Sequence, residues 1–232
     1  MLGRSRGEPH DGWDSAVGSG LALAGFLGLV LAAFTLLAMG PFVRYDAYFN
    51  LAPPPEGLIP FLVILDRIGQ RAVALPILAV VVIWLFRRNR SWRPVVVAAA
   101  SVFALNLVVL ILKVGLGRSA PHTADPSFFA GGMAYPSGHS ANIVLVYGLA
   151  VYLLARYSQP SRRTLAVLWG TVALLAVTML VTSLTLNWHW FADLVAGLLV
   201  GGMVLELTAT VDRMVPVQTR PDWLRWPRRH GT

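Results

Sequence analysis

Two histidines in this sequence have neighbours that suit them to proton or phosphoryl transfer. The first, His189, is followed four residues later by Asp193, a spacing that places both side chains on one face of a helix. The carboxylate can then accept a hydrogen bond from one ring nitrogen and leave the other nitrogen with a free lone pair. A histidine held in this way can act as a nucleophile or a base. A purely structural pair that ties two helices together would have the same spacing.

The second histidine, His139, ends the run Pro136-Ser137-Gly138-His139 immediately before an apolar stretch. Serine is a preferred helix N-cap, and the first backbone N–H groups of the helix then have no partner within it. Together with the helix dipole, these N–H groups at Gly138 and His139 form a binding site for an anion. His139 could exchange a proton with the bound group. The alternative is a plain helix cap that carries an interfacial histidine.

A third polar cluster closes another apolar stretch and contains Lys113 and Arg118. Gly115 and Gly117 lie between them and allow the backbone to turn sharply, so both cations could point at one anion. A lysine near the end of a membrane helix also extends its ammonium group to the water interface without any ligand. The cluster alone therefore leaves both interpretations open.

The composition indicates which elements must position these residues. The chain has 232 residues, of which 56% are hydrophobic and 13% charged, with a mean hydropathy of +0.64. Its apolar residues form long blocks, each close to the ~20 residues that a helix needs to cross a bilayer. The sequence therefore predicts an all-α, polytopic membrane protein. The absence of cysteine excludes thiolate nucleophiles and disulfides.

We expect six transmembrane helices in one membrane domain over residues 18–210, between a flexible N-terminal tail, 1–17, and a basic C-terminal tail, 211–232. The segment 43–71 contains the prolines 53–55 and is predicted to be an interfacial loop with a short helix. The six predicted spans are Gly18 to Phe42, Ala72 to Phe86, Pro94 to Val114, Ser140 to Tyr157, Thr164 to Thr182, and His189 to Thr208.

The arginines predict the orientation of these spans. They are concentrated in the connectors 87–93 and 156–163 and in the C-terminal tail, as expected of cytoplasmic segments. Both termini are then cytoplasmic, and the three polar clusters, 113–121, 136–139 and 182–193, share the outer side. This placement in short connectors also explains the net charge of +8 by membrane orientation and anionic lipids, so we expect no nucleic-acid partner.

Lys113 with Pro121, the run 136–139, and His189 with Asp193 occur in the order of a known three-part motif. They resemble the type 2 phosphatidic acid phosphatase family, whose soluble relatives include acid phosphatases and vanadium haloperoxidases, and the resemblance covers roughly residues 43–208. Two positions depart from the family pattern. Ala120 stands where the family has an arginine before the proline, and Ser183, after Thr182, stands where it has an arginine six residues before the second histidine.

The resemblance implies a lipid phosphate or diphosphate phosphatase of the plasma membrane that acts through a phosphohistidine at the outer interface. Candidate substrates are polyprenyl diphosphates, phosphatidylglycerophosphate and phosphatidic acid, and no metal or other cofactor is expected. A lipid phosphotransferase on the same fold is an alternative, and the two missing arginines also leave open a non-catalytic lipid-phosphate binder or transporter. The implied catalytic residues are His139, His189 and Asp193, and the implied phosphate-binding residues are Lys113, Arg118, Ser137 and Gly138.

Overall fold

The computed structural model describes residues 11–49 and 53–215, and within these ranges the chain is helical without a strand. One of the helices, Gly138–Ser158, contains a π-helical turn at Ile143–Tyr147. The helices are α1 Asp11–Met39, α2 Val43–Tyr48, α3 Ile59–Asp66, α4 Arg71–Asn89, α5 Arg93–Leu116, α6 Gly138–Ser158, α7 Arg162–Thr185 and α8 Phe191–Met214.

The prediction of six transmembrane helices is confirmed for the described residues. The helices α1 and α4 to α8 are long and apolar enough to cross a bilayer. The first helix begins at Asp11 and the last ends at Met214, so 11–17 and 211–214 are helical rather than part of the tails. A helix that already spans the membrane extends by a further turn at little cost, because each added residue forms another backbone hydrogen bond. The remainder of both predicted tails, 1–10 and 216–232, lies outside the described residues.

Helix α6 is the centre of the bundle. In its most apolar window 61% of the residues are buried, compared with 11% in α7, which faces the lipid. Ala141 and Leu145 of α6 belong to one apolar cluster with Val200 of α8, whereas Leu149 and Leu153 belong to a second one with residues of α4. The run that contains His139 therefore begins the most enclosed helix of the protein.

Two glycines of α8 allow it to lie directly against α6. A Cβ atom on Gly197 would lie 2.4 Å from the carbonyl oxygen of Ser137, and one on Gly201 would lie 2.7 Å from that of Ala141. Their four-residue spacing is typical of close contacts between membrane helices. The backbone at the start of α6 is thus held against the first half of α8.

A buried polar cluster connects the helices at the opposite end of the bundle. Arg93 Nε lies 2.7 Å from Asp212 Oδ1, and the hydroxyls of Tyr152 and Tyr157 donate to the same carboxylate at 2.8 and 2.9 Å. This cluster joins α5, α6 and α8 at the end where the arginine-rich connectors lie. The ionisable residues of the three motifs all lie at the other end.

Candidate active site

A cleft of about 540 Å³ opens at the end of the bundle where α4 and α6 begin and α5 ends. It is lined by Gly69, Gln70, Arg71, Ala72, Lys113, Met133, Gly138, His139, Asn142 and His189. The structure therefore brings together residues of all three motifs. Within the described ranges, no group of three or more histidine and acidic side chains is arranged to hold a metal ion.

The two motif histidines face each other across this cleft, with ring centroids 6.4 Å apart. His189 lies in the turn before α8, rather than in the helix as predicted, because Trp190 is the N-cap and α8 starts at Phe191. The predicted pair still forms, with His189 Nδ1 3.3 Å from Asp193 Oδ2. Asp193 is the third residue of the helix, and its carboxylate also accepts the Trp190 backbone N–H at 3.0 Å. A residue at this position folds back over the turn that carries His189.

The start of α6 supplies backbone donors to the cleft. Ser137 is the N-cap, and its hydroxyl accepts the Ser140 N–H at 3.5 Å. The first N–H groups of α6, at Gly138 and His139, have no acceptor within the helix, and both residues line the cleft. Ser137 itself is fully buried, and its own N–H donates to the Asp193 carbonyl at 2.8 Å. The Ser137 hydroxyl thus caps α6, and its contact with a phosphate stays a prediction.

Lys113 extends from the last turn of α5 into the cleft. Its ammonium group donates to the carbonyl oxygen of Met133 and, at 3.5 Å, to that of Ala134. These two acceptors belong to the loop that leads into α6, so they hold the ammonium beside the α6 N-terminus. A lysine carries three N–H donors, and one of them is available for a ligand.

Arg118 does not face the cleft, although the sequence predicted a phosphate contact for it. It is fully buried on the far side of Asp193, with Nη1 2.8 Å from Asp193 Oδ1 and Nη2 2.5 Å from Asp46 Oδ2. Its Nε donates to the Pro126 carbonyl at 3.1 Å. The guanidinium therefore bridges two carboxylates, and it holds Asp193 in place from the side that faces away from the cleft.

Asp46 completes this buried charge cluster from the short helix α2. Its second oxygen accepts the Ala192 N–H at 2.8 Å, at the first turn of α8. Burial raises the pKa of the Asp46 carboxyl, whereas the Arg118 positive charge lowers it in part. The single guanidinium is therefore the counter-charge for two carboxylates, one of which orients His189.

Neither position that lacks the family arginine contributes a cation to the site. Ala120 lies before the short 3₁₀ turn Pro121–Thr123 and is absent from the cleft lining. Ser183 is buried, and its hydroxyl donates to Asp66 Oδ1 at 2.7 Å. Where the family has an arginine, this chain thus has a neutral hydroxyl that donates to a carboxylate.

Two residues of the cleft region were not predicted from the sequence. Arg71, the first residue of α4, is exposed and lines the cleft together with Lys113. Asp66, the last residue of α3, is fully buried and has Oδ2 3.6 Å from His139 Nε2. Both come from the segment predicted as an interfacial loop, which carries no recognisable motif. The only signal was a carboxylate that interrupts the apolar stretch 61–68, where an unpaired charge is costly.

Comparisons with known proteins agree with this architecture. The family model described as "PAP2 superfamily" matches residues 94–215, more than half of the chain. The chain belongs to the PAP2 superfamily and is a membrane-integral hydrolase of phosphoric esters. It is similar in fold to the crystal structure of a transmembrane PAP2-type phosphatidylglycerolphosphate phosphatase from Bacillus subtilis, with a TM-score of 0.70 at 18% identity, over 84% of this chain and 98% of that one. No curated protein matches the sequence.

Proposed function

We propose that this protein removes a phosphate group from a lipid phosphate or diphosphate at the outer face of the plasma membrane. The observation that carries the proposal is the pair of histidine rings, 6.4 Å apart, at one cleft that Lys113 and the start of α6 also line. A nucleophile, a proton donor and several anion-binding groups thus surround a space that admits one phosphate.

In the proposed reaction, His189 is the nucleophile. Its Nδ1–H donates to Asp193, which leaves the lone pair on Nε2 to attack phosphorus. As the P–N bond forms, the bond from phosphorus to the lipid oxygen breaks, and His139 gives that oxygen its proton. The products of this step are a phosphohistidine and the lipid alcohol, or the lipid monophosphate if the substrate is a diphosphate. Water then attacks phosphorus, the P–N bond breaks, and His139 takes the proton from that water.

We assign the nonbridging phosphate oxygens to Lys113, the backbone N–H groups at Gly138 and His139, and Arg71. Arg71 supplies the guanidinium that Arg118 cannot, because Arg118 is fully buried, is absent from the cleft lining and is turned toward Asp46, Asp193 and Pro126. A guanidinium can bind two phosphate oxygens at once. This assignment accounts for an active site in a chain that has Ala120 and Ser183 at the family's arginine positions.

The position of the cleft supports a lipid substrate. It lies at the ends of the spans, next to helix faces that are apolar and exposed to lipid. A lipid can keep its tails in the bilayer there while its phosphate enters the cleft. The arginines of the connectors 87–93 and 156–163 lie at the opposite end, which favours an outward-facing cleft. Phosphatidylglycerophosphate, polyprenyl diphosphates and phosphatidic acid all satisfy these requirements.

The test is phosphate release from a panel of these lipids by purified protein in detergent. We expect turnover of at least one lipid, loss of turnover in His189→Ala, and normal turnover in His122→Ala, which changes an exposed histidine away from the cleft. Rapid quenching with labelled substrate should trap an acid-labile phosphoprotein in the wild type. Equal activity of His189→Ala would disprove the mechanism. Label that passes to a second lipid would indicate a phosphotransferase, and binding without turnover would indicate a non-catalytic protein.

A further inference from the structure

Asp66 is a buried carboxylate that the mechanism above does not use. It is the last residue of α3, an eight-residue helix whose other residues are apolar and include one proline. Its side chain has no exposure to solvent. It also lies outside residues 94–215, so the family model does not include it. A carboxylate in such a place is costly unless it has a specific partner.

The partners of Asp66 are Ser183 and His139, which belong to two of the three motifs. Oδ1 accepts the Ser183 hydroxyl at 2.7 Å. Oδ2 lies 3.6 Å from His139 Nε2, and neither of these two atoms has a hydrogen-bond partner elsewhere in the described ranges. A buried polar atom is rarely left unpaired. The two unpaired atoms thus lie close enough for each to become the partner of the other after a small shift of the ring.

The turn that follows Asp66 fixes its distance from His139. A Cβ atom on Gly69 would lie 3.0 Å from His139 Cβ, so only glycine permits this approach without a shift. The Asn142 amide donates to the Gly69 carbonyl at 3.3 Å, and the Tyr147 hydroxyl donates to the Ile68 carbonyl at 2.9 Å. Two side chains of α6 thus hold the turn against the helix that carries His139.

We propose that Asp66 is the positioning residue of His139, so that the site contains two histidine–carboxylate pairs instead of one. Asp66 holds the ring with Nε2–H toward the carboxylate and stabilises the imidazolium form. Nδ1 is then the nitrogen that passes a proton to the leaving lipid oxygen. The proposal rests on the proposed function, since it assigns a partner to the proton donor of that reaction.

The serine at 183 fits this arrangement. A serine hydroxyl donates one neutral hydrogen bond to Asp66 and leaves the carboxylate's charge available to His139. An arginine there would bring a full positive charge to the same carboxylate and compete with the imidazolium for it. The departure from the family pattern at Ser183 and the role of Asp66 are thus two parts of one arrangement.

The experiment compares Asp66→Asn with Ser183→Ala on two substrates that differ in their leaving group. One is an alkyl lipid phosphate and the other is an aryl phosphate, whose leaving oxygen needs little help from an acid. For Asp66→Asn we expect kcat/KM, which reports the step that releases the lipid oxygen, to fall about 100-fold on the alkyl substrate and only about threefold on the aryl one, because the later water step is common to both. Ser183→Ala removes a bond to the same carboxylate but keeps its charge, so we expect a loss of less than about fivefold on both. An equal loss on both substrates in Asp66→Asn would overturn the proposal.

A spectroscopic measurement tests the same pair without catalysis. In ¹⁵N-histidine NMR spectra of the wild type, recorded at a pH at which the ring has lost its second proton, the His139 signals, identified by their absence in His139→Gln, should report the Nε2–H tautomer. Asp66→Asn should convert them to a mixture of tautomers. A wild-type Nδ1–H tautomer would overturn the proposal even if Asp66→Asn does not fold. If the wild type hydrolyses neither substrate, the proposed function fails, while these spectra still decide whether Asp66 holds His139.

Discussion

Replacing Arg118 with methionine distinguishes between two interpretations of this residue. It is either a phosphate ligand or a buried bridge between two carboxylates. The guanidinium is fully buried and within 2.8 Å of carboxylate oxygens of both Asp46 and Asp193. Methionine keeps much of the volume but leaves two buried carboxylates without their counter-charge. Removing one partner from a buried ion pair costs about 3 to 5 kcal/mol. For a chain of this size, that loss lowers the melting temperature by roughly 10 °C.

The measurement is thermal unfolding in detergent, together with inhibition by inorganic phosphate. We expect Arg118→Met to melt well below the wild type, and Arg118→Lys to recover only part of the loss, because one ammonium does not reproduce the planar fork that reaches both carboxylates. Adding Asp46→Asn to Arg118→Met should restore part of the stability, since it removes one of the two unpaired charges. Inorganic phosphate should inhibit the remaining activity of the variants at the same concentration at which it inhibits the wild type. A variant that melts like the wild type but binds phosphate weakly would refute this reasoning and restore Arg118 as a ligand.

Two further changes test the assignments at the two ends of the bundle. Arg71→Met should weaken the binding of substrate and of inorganic phosphate by about 1.5 to 3 kcal/mol, because a charged hydrogen bond is lost. KM and the inhibition constant should then rise about 10- to 150-fold. Arg67→Met, which changes an exposed arginine outside the cleft, should have no such effect. Asp212→Asn should destabilise the protein by about 3 to 5 kcal/mol, since it leaves Arg93 buried without its carboxylate. KM of the folded fraction should stay the same, and a raised KM would contradict the structural role of that cluster.

The sequence predicted the six spans because each is a long apolar block that ends at polar residues. It also predicted which motif residues meet, since alternate connectors of a helical bundle lie on the same side of the membrane. The pair of His189 and Asp193 follows from local spacing, although the contact runs from a turn to a helix rather than along one helix.

The contacts of Arg118 and Asp66 could not be predicted because their partners are distant in the chain. Arg118 is turned away from the cleft by Asp46, which lies 72 residues earlier. Asp66 and Arg71 lie in a segment that carries no motif, and Asp66 meets Ser183 across 117 residues. Spacing rules apply within one element. They do not show which of several buried carboxylates will attract a given cation.

The glycines of α8 have a consequence for the reaction distance. His139 lies in the first turn of α6, and His189 lies two residues before α8, so the separation of the two rings depends on how closely these helices approach. At Gly197 even a methyl group would come within 2.4 Å of the Ser137 carbonyl. The helices are therefore in backbone contact and cannot move closer. Because position 197 has no side chain, this backbone contact sets the separation of the two histidine rings, and in the proposed reaction the phosphate must fit between them.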